Sequence, residues 1–349
     1  MLKFGNNTIG DVYFGNSPIY KIYKGSELVY NKFKIPETDI ALYDNVEKYE
    51  ITVPTSKYNA IDYPTNRYIP VGIVVIPANI SYELFDDNDD RKGKPIIMSL
   101  KYMDYDNPDN GGDPISIYFG GYQSDLSLND FKSKARILNT NDEEVVTTNT
   151  QGTKLPSTKF ASTECLAAPE TYYQGTPYHP SPVKYNKENR KWVLNPQFKN
   201  APDTCSCLDV NGKINTAIIL ENVTVNGWKT ADTIINSYTS GNYPIACCCW
   251  RYHIEGVDNQ GDWYLPSCGE LCFIMPFFLQ HQDALKKIIE VYDASSAVLL
   301  KVNSNHASSS EYDEYSICRV YTMNGLVEIS SKGTGCSARA FRELHTKSI

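Results

Sequence analysis

The feature that most constrains the fold is a corner in the last quarter of the chain, where an aromatic-rich segment stops and a helix begins. The segment 261–265 runs into Pro266, and Ser267 and Glu270 then have the spacing of a capping box. In that motif the Ser hydroxyl and the Glu carboxylate bind free backbone N–H groups of the first helical turn. The pattern therefore predicts a strand that leads directly into a helix.

Two further signals follow this corner. A polar, serine-rich run covers 303–312, and two alternating segments, 315–321 and 326–330, flank Asn324-Gly325. Asn-Gly between alternating segments is a strong hairpin signal. We expect a loop at the serine run, then a hairpin, and a last strand at 336–342.

These segments together resemble a known domain. The series comprises Trp-Tyr-Leu-Pro-Ser-x-x-Glu-Leu (263–271), Ser-Ser-Ser-Glu-Tyr (308–312), Arg319-Val320, Asn324-Gly325 and Ser-Ala-Arg-Ala-Phe-Arg (337–342). It resembles the C-type-lectin-like domain of Fibrobacter-type paralogous surface proteins and Legionella collagen-like adhesins. The resemblance implies an α+β fold, a C-type-lectin-like mixed α/β domain whose ligands lie on variable loops. The apolar segments 70–77 and 95–100 resemble the opening hairpin of that domain, which extends the likeness to 69–343.

The N-terminus holds a threefold repeat with a period of ten residues. Each copy within 2–29 reads as a short strand, a turn at Gly5, Gly15 or Gly25, and a second short strand. About thirty residues bury too little apolar surface to be stable alone, so we expect this small all-β module to dock on a partner or on copies of itself. A β-ribbon packed on its own main domain stays the alternative.

The repeat also resembles the N-terminal anchor of structural proteins from Bacteroides phages, including the crAss-like group. The residues predicted to make the docking contact are its apolar positions: Leu2, Phe4, Ile9, Val12, Tyr13, Phe14, Ile19, Ile22, Tyr23, Leu28 and Val29. The predicted organisation is a β-repeat anchor at 1–32, a connector with short strands at 33–68, and the lectin-like domain at 69–349, with a loop-rich insertion at about 104–200. The residue pattern also predicts a helix at 215–222 and an apolar strand at 246–253.

Charge and hydropathy exclude some classes of protein. The net charge is −8, whereas binding to a nucleic-acid backbone needs clustered Lys and Arg. The sequence has no continuous apolar run of a secretory signal and none of about 18 residues that would cross a membrane. We therefore expect synthesis in the host cytoplasm and release by lysis as part of a virion. The 10 cysteines are expected to be buried small hydrophobes rather than disulfide partners.

No catalytic or metal-binding pattern is complete. Asp104–Asp113 has the carboxylate density of a calcium loop, but Pro108 and the missing glutamate at position twelve favour a solvated loop, with a calcium ion as the alternative. Cys318 and Cys336 lie on neighbouring predicted strands, as in the copper site of related oxygenases, without the rest of such a site. Cys268 and Cys272 share a helix turn, which favours core packing over a metal. We predict no enzyme and no cofactor.

Two functions remain open. The first is a non-enzymatic virion protein, a head fibre or decoration protein and an expected homotrimer, anchored to capsid or tail proteins by its N-terminus. The second is a tail-fibre or bacterial adhesin that binds a host glycan or protein through loops 303–316 and 321–334. The ligand residues predicted for those loops are polar or aromatic: Asn303, Asn305, His306, Tyr312, Asp313, Tyr315, Tyr321 and Lys332. Arg339 and Arg342 are instead expected to form structural ion pairs.

Overall fold

The computed structural model divides the chain into two units, Met1–Glu37 and Thr38–Ile349. It describes the backbone of six short strands between 3 and 31, and then 37–85, 87–103, 116–124, 126, 183–186, 191–195, 210–230, 234–301, 304–311, 314–321 and 326–345. Most of the predicted insertion at 104–200, including the acidic segment Asp104–Asp113, lies outside these residues.

The first unit consists of three antiparallel hairpins. Their strands are β1 (Lys3–Phe4), β2 (Asn7–Thr8), β3 (Val12–Phe14), β4 (Ser17–Ile19), β5 (Lys21–Lys24) and β6 (Glu27–Asn31). Phe4 pairs with Asn7, Phe14 with Ser17 and Lys24 with Glu27. In the sequence, the two residues between the paired strand ends are Gly5-Asn6, Gly15-Asn16 and Gly25-Ser26. This spacing is that of a two-residue hairpin loop. The predicted pairs of short strands are confirmed.

The second unit has mixed secondary structure, and its fold is α+β. Its strands are β7 (Asp39–Asp44), β8 (Tyr49–Pro54), β9 (Tyr68–Ile76), β10 (Ile96–Met98), β11 (Ile117–Tyr118), β12 (Val183–Asn186), β13 (Lys191–Leu194), β14 (Asn305–Glu311), β15 (Ser316–Tyr321), β16 (Leu326–Ser331), β17 (Gly335–Cys336) and β18 (Phe341–Glu343). Its α-helices are α1 (Ala78–Leu84), α2 (Gly212–Glu221), α3 (Pro244–Arg251), α4 (Cys268–Leu271) and α5 (Phe278–Val291), with 3₁₀ turns at Thr55–Lys57 and Cys272–Phe277.

A five-stranded antiparallel sheet organises this unit, in the order β18-β10-β9-β7-β8. The two segments predicted to open the domain, β9 and β10, pair with each other, and β10 also pairs with β18 near the C-terminus. Strands β7 and β8 come from the segment that the sequence assigns to a connector, and both belong to this sheet. A separate three-stranded sheet, β14-β15-β16, contains the predicted hairpin.

Apolar clusters cover both faces of the five-stranded sheet. Ile40 and Ile73 point into one cluster with the apolar side chains of α4 and α5, whereas their successors Ala41 and Val74 point into the other with α3. Successive strand residues face opposite sides, so a sheet covered on both faces needs strands that are apolar throughout. The sequence of β9, with seven consecutive buried residues, meets this requirement.

The capping box at Ser267 forms as predicted, whereas the strand predicted before it is wrong, because only Tyr264 makes a β-bridge there. The Ser267 N–H donates to Glu270 Oε2 at 2.7 Å, and Ser267 Oγ accepts from the Glu270 N–H at 3.4 Å, which together make the capping box. Tyr264 pairs with Phe341 of β18, so the corner is fixed to the edge of the main sheet. Helix α2 also confirms the predicted helix near 215–222.

The serine-rich run is a buried strand, and the predicted loop is wrong. Six of the seven residues of β14 are buried. Buried hydroxyls need hydrogen-bond partners, and here Ser308 Oγ donates to the Cys318 carbonyl at 2.6 Å while Ser310 Oγ accepts from the Cys268 N–H at 2.9 Å. Neighbouring elements satisfy the hydroxyls of Ser308 and Ser310, which helps a polar segment to lie inside the fold.

The cysteine run is a helix, and the strand predicted at 246–253 is wrong. Helix α3 begins at Pro244, where a proline fits the first helical turn without losing a hydrogen bond. Its residues Cys247, Cys248 and Cys249 are all buried against the sheet. A short apolar run has no periodicity that separates a buried strand from a buried helix, so the sequence pattern could not decide.

Candidate functional site

Four tyrosine rings form a connected cluster that reaches the surface of the second unit. The ring centroids of Tyr118 and Tyr238 are 5.4 Å apart, those of Tyr122 and Tyr238 are 6.0 Å apart, and those of Tyr122 and Tyr315 are 5.4 Å apart. All three pairs are edge-to-face, a favourable aromatic geometry. Tyr238 is 47% exposed and Tyr315 is 43% exposed. We call Tyr118, Tyr122, Tyr238 and Tyr315 the tyrosine surface.

Backbone hydrogen bonds join the loops that carry these rings. The Tyr122 N–H donates to the Tyr238 carbonyl at 2.9 Å, and the Gln123 N–H donates to the Glu314 carbonyl at 3.0 Å. The Gly121 N–H donates to the Asn242 carbonyl at 2.9 Å. Three segments that are far apart in sequence thus form one surface whose loops hold each other in place.

Two glycines allow this close approach of the loops. Gly121 has φ of +65°, and a Cβ atom there would lie 2.1 Å from Cε1 of Tyr243. Gly241 has φ of +74°, and its Cβ would lie 2.1 Å from Oγ1 of Thr224. L-residues seldom adopt such backbone angles, and neither site has room for a side chain.

A polar pocket of about 340 Å³ opens beside the tyrosine surface. Among the residues that the structure describes, those that line the pocket are Ser124, Leu126, Asn222, Thr224, Ser240, Gly241 and Tyr243. The hydroxyl oxygens of Ser124 and Ser240 lie 2.6 Å apart and join two of its walls. Burial raises the pKa of Tyr243, so its phenol stays protonated at neutral pH. The pocket therefore presents uncharged hydrogen-bonding groups.

A buried ion pair supports the pocket. The Lys332 ammonium contacts the carboxylate of Glu311, and it also donates to the Ser124 carbonyl at 3.0 Å. Lys332 is 0% exposed and Glu311 is 2% exposed. Lys332 was predicted to bind ligand from the surface, but its burial gives it a supporting position under the Ser124 loop instead.

The other predicted ligand residues are dispersed. Tyr315 belongs to the tyrosine surface, Asn305 and Tyr321 are half-buried partners across β14 and β15, and His306 is buried at 1% exposure. Asn303, Tyr312 and Asp313 lie outside the described residues. Of the five predicted residues that the structure describes, Tyr315 belongs to the tyrosine surface and Lys332 lies beneath the pocket.

His306 belongs to a buried cluster away from the pocket. Its ring lies 5.5 Å from the ring of Tyr102, and the guanidinium of Arg339 lies 4.1 Å from that same tyrosine. Burial, together with the charge of Arg339, lowers the pKa of His306 to about 3. His281 is also buried, and burial lowers its pKa to about 3. Both histidines are therefore neutral structural residues at neutral pH.

The two arginines near the C-terminus make different contacts. Arg342 binds the carboxylate of Glu50 with both terminal nitrogens and lies 3.3 Å from Asp258, which confirms its predicted ion pair. Arg339 instead donates to the carbonyls of Ser99 and Val298. Among the described residues, Arg339 forms no ion pair, so that prediction is wrong. Carbonyl oxygens and the Tyr102 ring surround its charge instead.

A second buried network holds the corner helix. Arg91 contacts Glu270 at 2.6 Å and Asp89 at 2.6 Å, and the Tyr264 hydroxyl donates to Glu270 at 2.9 Å. Burial raises the pKa of Glu270 to about 7, although Arg91 and the hydrogen bonds from Ser267 oppose the shift. The carboxylate thus links the capping box to the loop before β10.

The cysteines whose side chains are described lie in the core. Cys247, Cys248, Cys249, Cys268, Cys272, Cys318 and Cys336 are free and buried, which confirms for these seven that they pack as small hydrophobes. Burial raises the pKa of Cys247 to about 12. Among the described residues, no three His, Cys, Asp or Glu side chains are placed to share a metal ion.

The residues that the sequence did not single out are Tyr118, Tyr122 and Tyr238, together with the pocket lining. The available signals were the 26 tyrosines against 12 phenylalanines and the Gly120-Gly121 pair next to aromatics. The side chains of the predicted docking residues at 2–29 lie outside the described part. Within that part, no helix combines the length and the apolar character needed to cross a bilayer.

Comparisons with known proteins give little similarity. No family model matches the chain, and no curated protein matches it. Among solved structures, a fimbrial protein from Bacteroides ovatus aligns over 86% of this chain with 13% sequence identity and a TM-score of 0.39. The chain spans about half of that protein, 48% of its length. A similarity of this size assigns neither a family nor a function.

Proposed function

We propose that the protein is a non-enzymatic attachment protein. In this proposal the N-terminal hairpins dock on a larger assembly, and the second unit binds a ligand on a host surface. The tyrosine surface is the observation that carries the proposal. Tyrosine supplies a large contact area at a small cost in side-chain entropy, which is why it is frequent at recognition surfaces.

The geometry of the cluster supports a role in binding rather than in folding alone. Aromatic rings that only fill a core are buried, whereas Tyr238 and Tyr315 expose nearly half of their area. Their loops are fixed by backbone hydrogen bonds and by glycines that tolerate no side chain. A site that is rigid before binding loses less entropy when a ligand arrives.

We further propose a specific setting, a phage virion. There the chain is a head fibre or capsid decoration protein, a homotrimer that displays a lectin-like domain. The support is the resemblance of the N-terminal repeat to phage anchors, and the three consecutive hairpins, which are too small to be stable without a partner. For the lectin-like fold, the support is the pairing of β10 with both β9 and β18, together with the capped corner.

The test uses the full chain. Fluorescently labelled protein is incubated with Bacteroides cells, and binding is measured against concentration; we expect saturable binding that unlabelled chain displaces. Absence of saturable binding to any tested strain would contradict the attachment function. Mass spectrometry of purified virions tests the proposed location separately, and we expect the chain among the virion proteins. If the chain is found on bacterial envelopes but not in virions, the protein belongs to a bacterial surface and the virion proposal is wrong.

A further inference from the structure

The chemistry of the polar pocket indicates what kind of ligand it takes. Its walls present the hydroxyls of Ser124, Thr224, Ser240 and Tyr243 and the amide of Asn222. Each of these groups can both donate and accept a hydrogen bond. Ser124 and Ser240 bond to each other, Thr224 donates to the Gly241 carbonyl, and Asn222 donates to the Ile218 carbonyl. A ligand with many hydroxyls has the same dual character and can use the donor and acceptor capacity that remains on these groups.

The described lining also bears no net charge. Below the Ser124 loop, the described charged side chains of Lys332 and Glu311 pair with each other. An anionic ligand such as a phosphate or a carboxylate sugar is best held by an arginine or lysine aimed at it. Here the ammonium of Lys332 is directed at Glu311 and at a backbone carbonyl, which favours an uncharged ligand.

The tyrosine surface adds an apolar partner next to these polar walls. Tyr122 and Tyr238 precede the wall residues Ser124 and Ser240 by two positions, and the Tyr122 N–H bonds to the Tyr238 carbonyl. A sugar ring has C–H groups on its faces and hydroxyls on its edge. Aromatic rings pack against the C–H groups, and a few placed polar groups fix the orientation.

The size of the pocket fits one small unit. Ligand pockets usually enclose roughly 300–1,000 Å³, and this one has about 340 Å³. Asn222, Thr224 and Ser240 are exposed at its edge. A longer ligand can therefore place one unit inside while its remainder crosses the tyrosine surface.

We propose that this pocket is the binding site for a neutral saccharide unit of a host-surface glycan, with the tyrosine surface as the platform for the adjoining unit. The proposal rests on the attachment function and names its ligand class. It requires no metal ion, because the pocket's own hydroxyls and amide supply the hydrogen bonds.

The first test measures binding of the full chain to an array of immobilised neutral and acidic glycans, followed by titration calorimetry with the neutral oligosaccharides that bind. Thr224→Val keeps the shape of the side chain and removes one hydroxyl, and we expect about tenfold weaker binding from it. Tyr238→Ala should weaken binding by at least about tenfold. Tyr82→Ala removes a tyrosine that is 64% exposed elsewhere and should change nothing.

Three results would overturn the saccharide assignment: an array with no bound glycan, a preference for acidic glycans, or equal affinity of Thr224→Val and wild type. A second measurement separates this assignment from the attachment function. Host cells are treated with periodate, which cleaves vicinal diols in sugars. Loss of cell binding supports the saccharide ligand, whereas retained binding that Tyr238→Ala still abolishes leaves an attachment protein whose ligand is not a saccharide.

Discussion

The buried pair of Lys332 and Glu311 gives a quantitative test of how the candidate site is supported. Lys332→Met removes the ammonium and leaves the carboxylate of Glu311 at 2% exposure without it. Breaking a buried ion pair from one side costs about 3–5 kcal/mol, because the remaining charge is desolvated and uncompensated. The Ser124 carbonyl also loses its 3.0 Å donor. We expect the free energy of unfolding to fall by about 3–5 kcal/mol.

The assay is urea denaturation at pH 7, followed by tryptophan fluorescence and circular dichroism. A double variant, Lys332→Met with Glu311→Leu, removes both charges and should recover most of the loss, since an apolar pair of similar volume avoids the desolvation cost. Lys286→Met is the matched control: Lys286 is an exposed lysine of α5 whose pair with Asp283 is 3.6 Å long, and its loss should change stability by less than about 0.5 kcal/mol.

Two results would refute this reasoning. If Lys332→Met costs less than about 1 kcal/mol, the pair does not hold the loop. If the double variant is as unstable as the sum of the two single variants, the two side chains do not interact. If Lys332→Met keeps the stability of wild type but loses ligand binding, Lys332 contacts the ligand directly, as the sequence predicts.

Two further predictions concern the glycines and the histidines. Gly241→Ala should destabilise the protein by at least about 1 kcal/mol more than Gly227→Ala. The two glycines have nearly the same φ, +74° and +72°, but only Gly241 has a neighbour within 4 Å of the added Cβ. Equal unfolding free energies for the two variants would show that this close contact does not exist. The folded-state pKa values of His281 and His306, about 3, lie below the unfolded value of 6.5, so the unfolded state binds more protons and stability is lost as pH falls from about 6.5 towards 3. Each histidine should contribute a slope that approaches about 1.4 kcal/mol per pH unit below pH 6. His306→Phe should remove one such slope from the pH dependence of the unfolding free energy between pH 6 and 4.5, and an unchanged slope would show that His306 is not buried as described.

Local signals in the sequence predicted the elements that local interactions determine. The capping box at Ser267 and the strand pair on either side of Asn324-Gly325 both form where the sequence places them. The three N-terminal hairpins also follow the glycine spacing. In each case the residues that decide the structure lie within about ten positions of one another.

The failures arise where tertiary contacts decide. The run 305–311 is polar, yet its serines bond to Cys318 and to the corner helix, so it is a buried strand. The candidate site has the same origin, because Tyr122, Tyr238 and Tyr315 meet only when three distant loops are bonded together. A tyrosine excess is visible in the sequence, but the neighbours of each ring are not.

The central claim is that the tyrosine surface is the part of the protein that binds the host. The most direct measurement is the dissociation constant of the full chain for intact host cells, compared among wild type, the double variant Tyr238→Ala with Tyr315→Ala, and Tyr82→Ala. We predict that the double variant binds at least about tenfold more weakly, while Tyr82→Ala matches wild type. Equal dissociation constants for the double variant and wild type, with both folded, would contradict the claim.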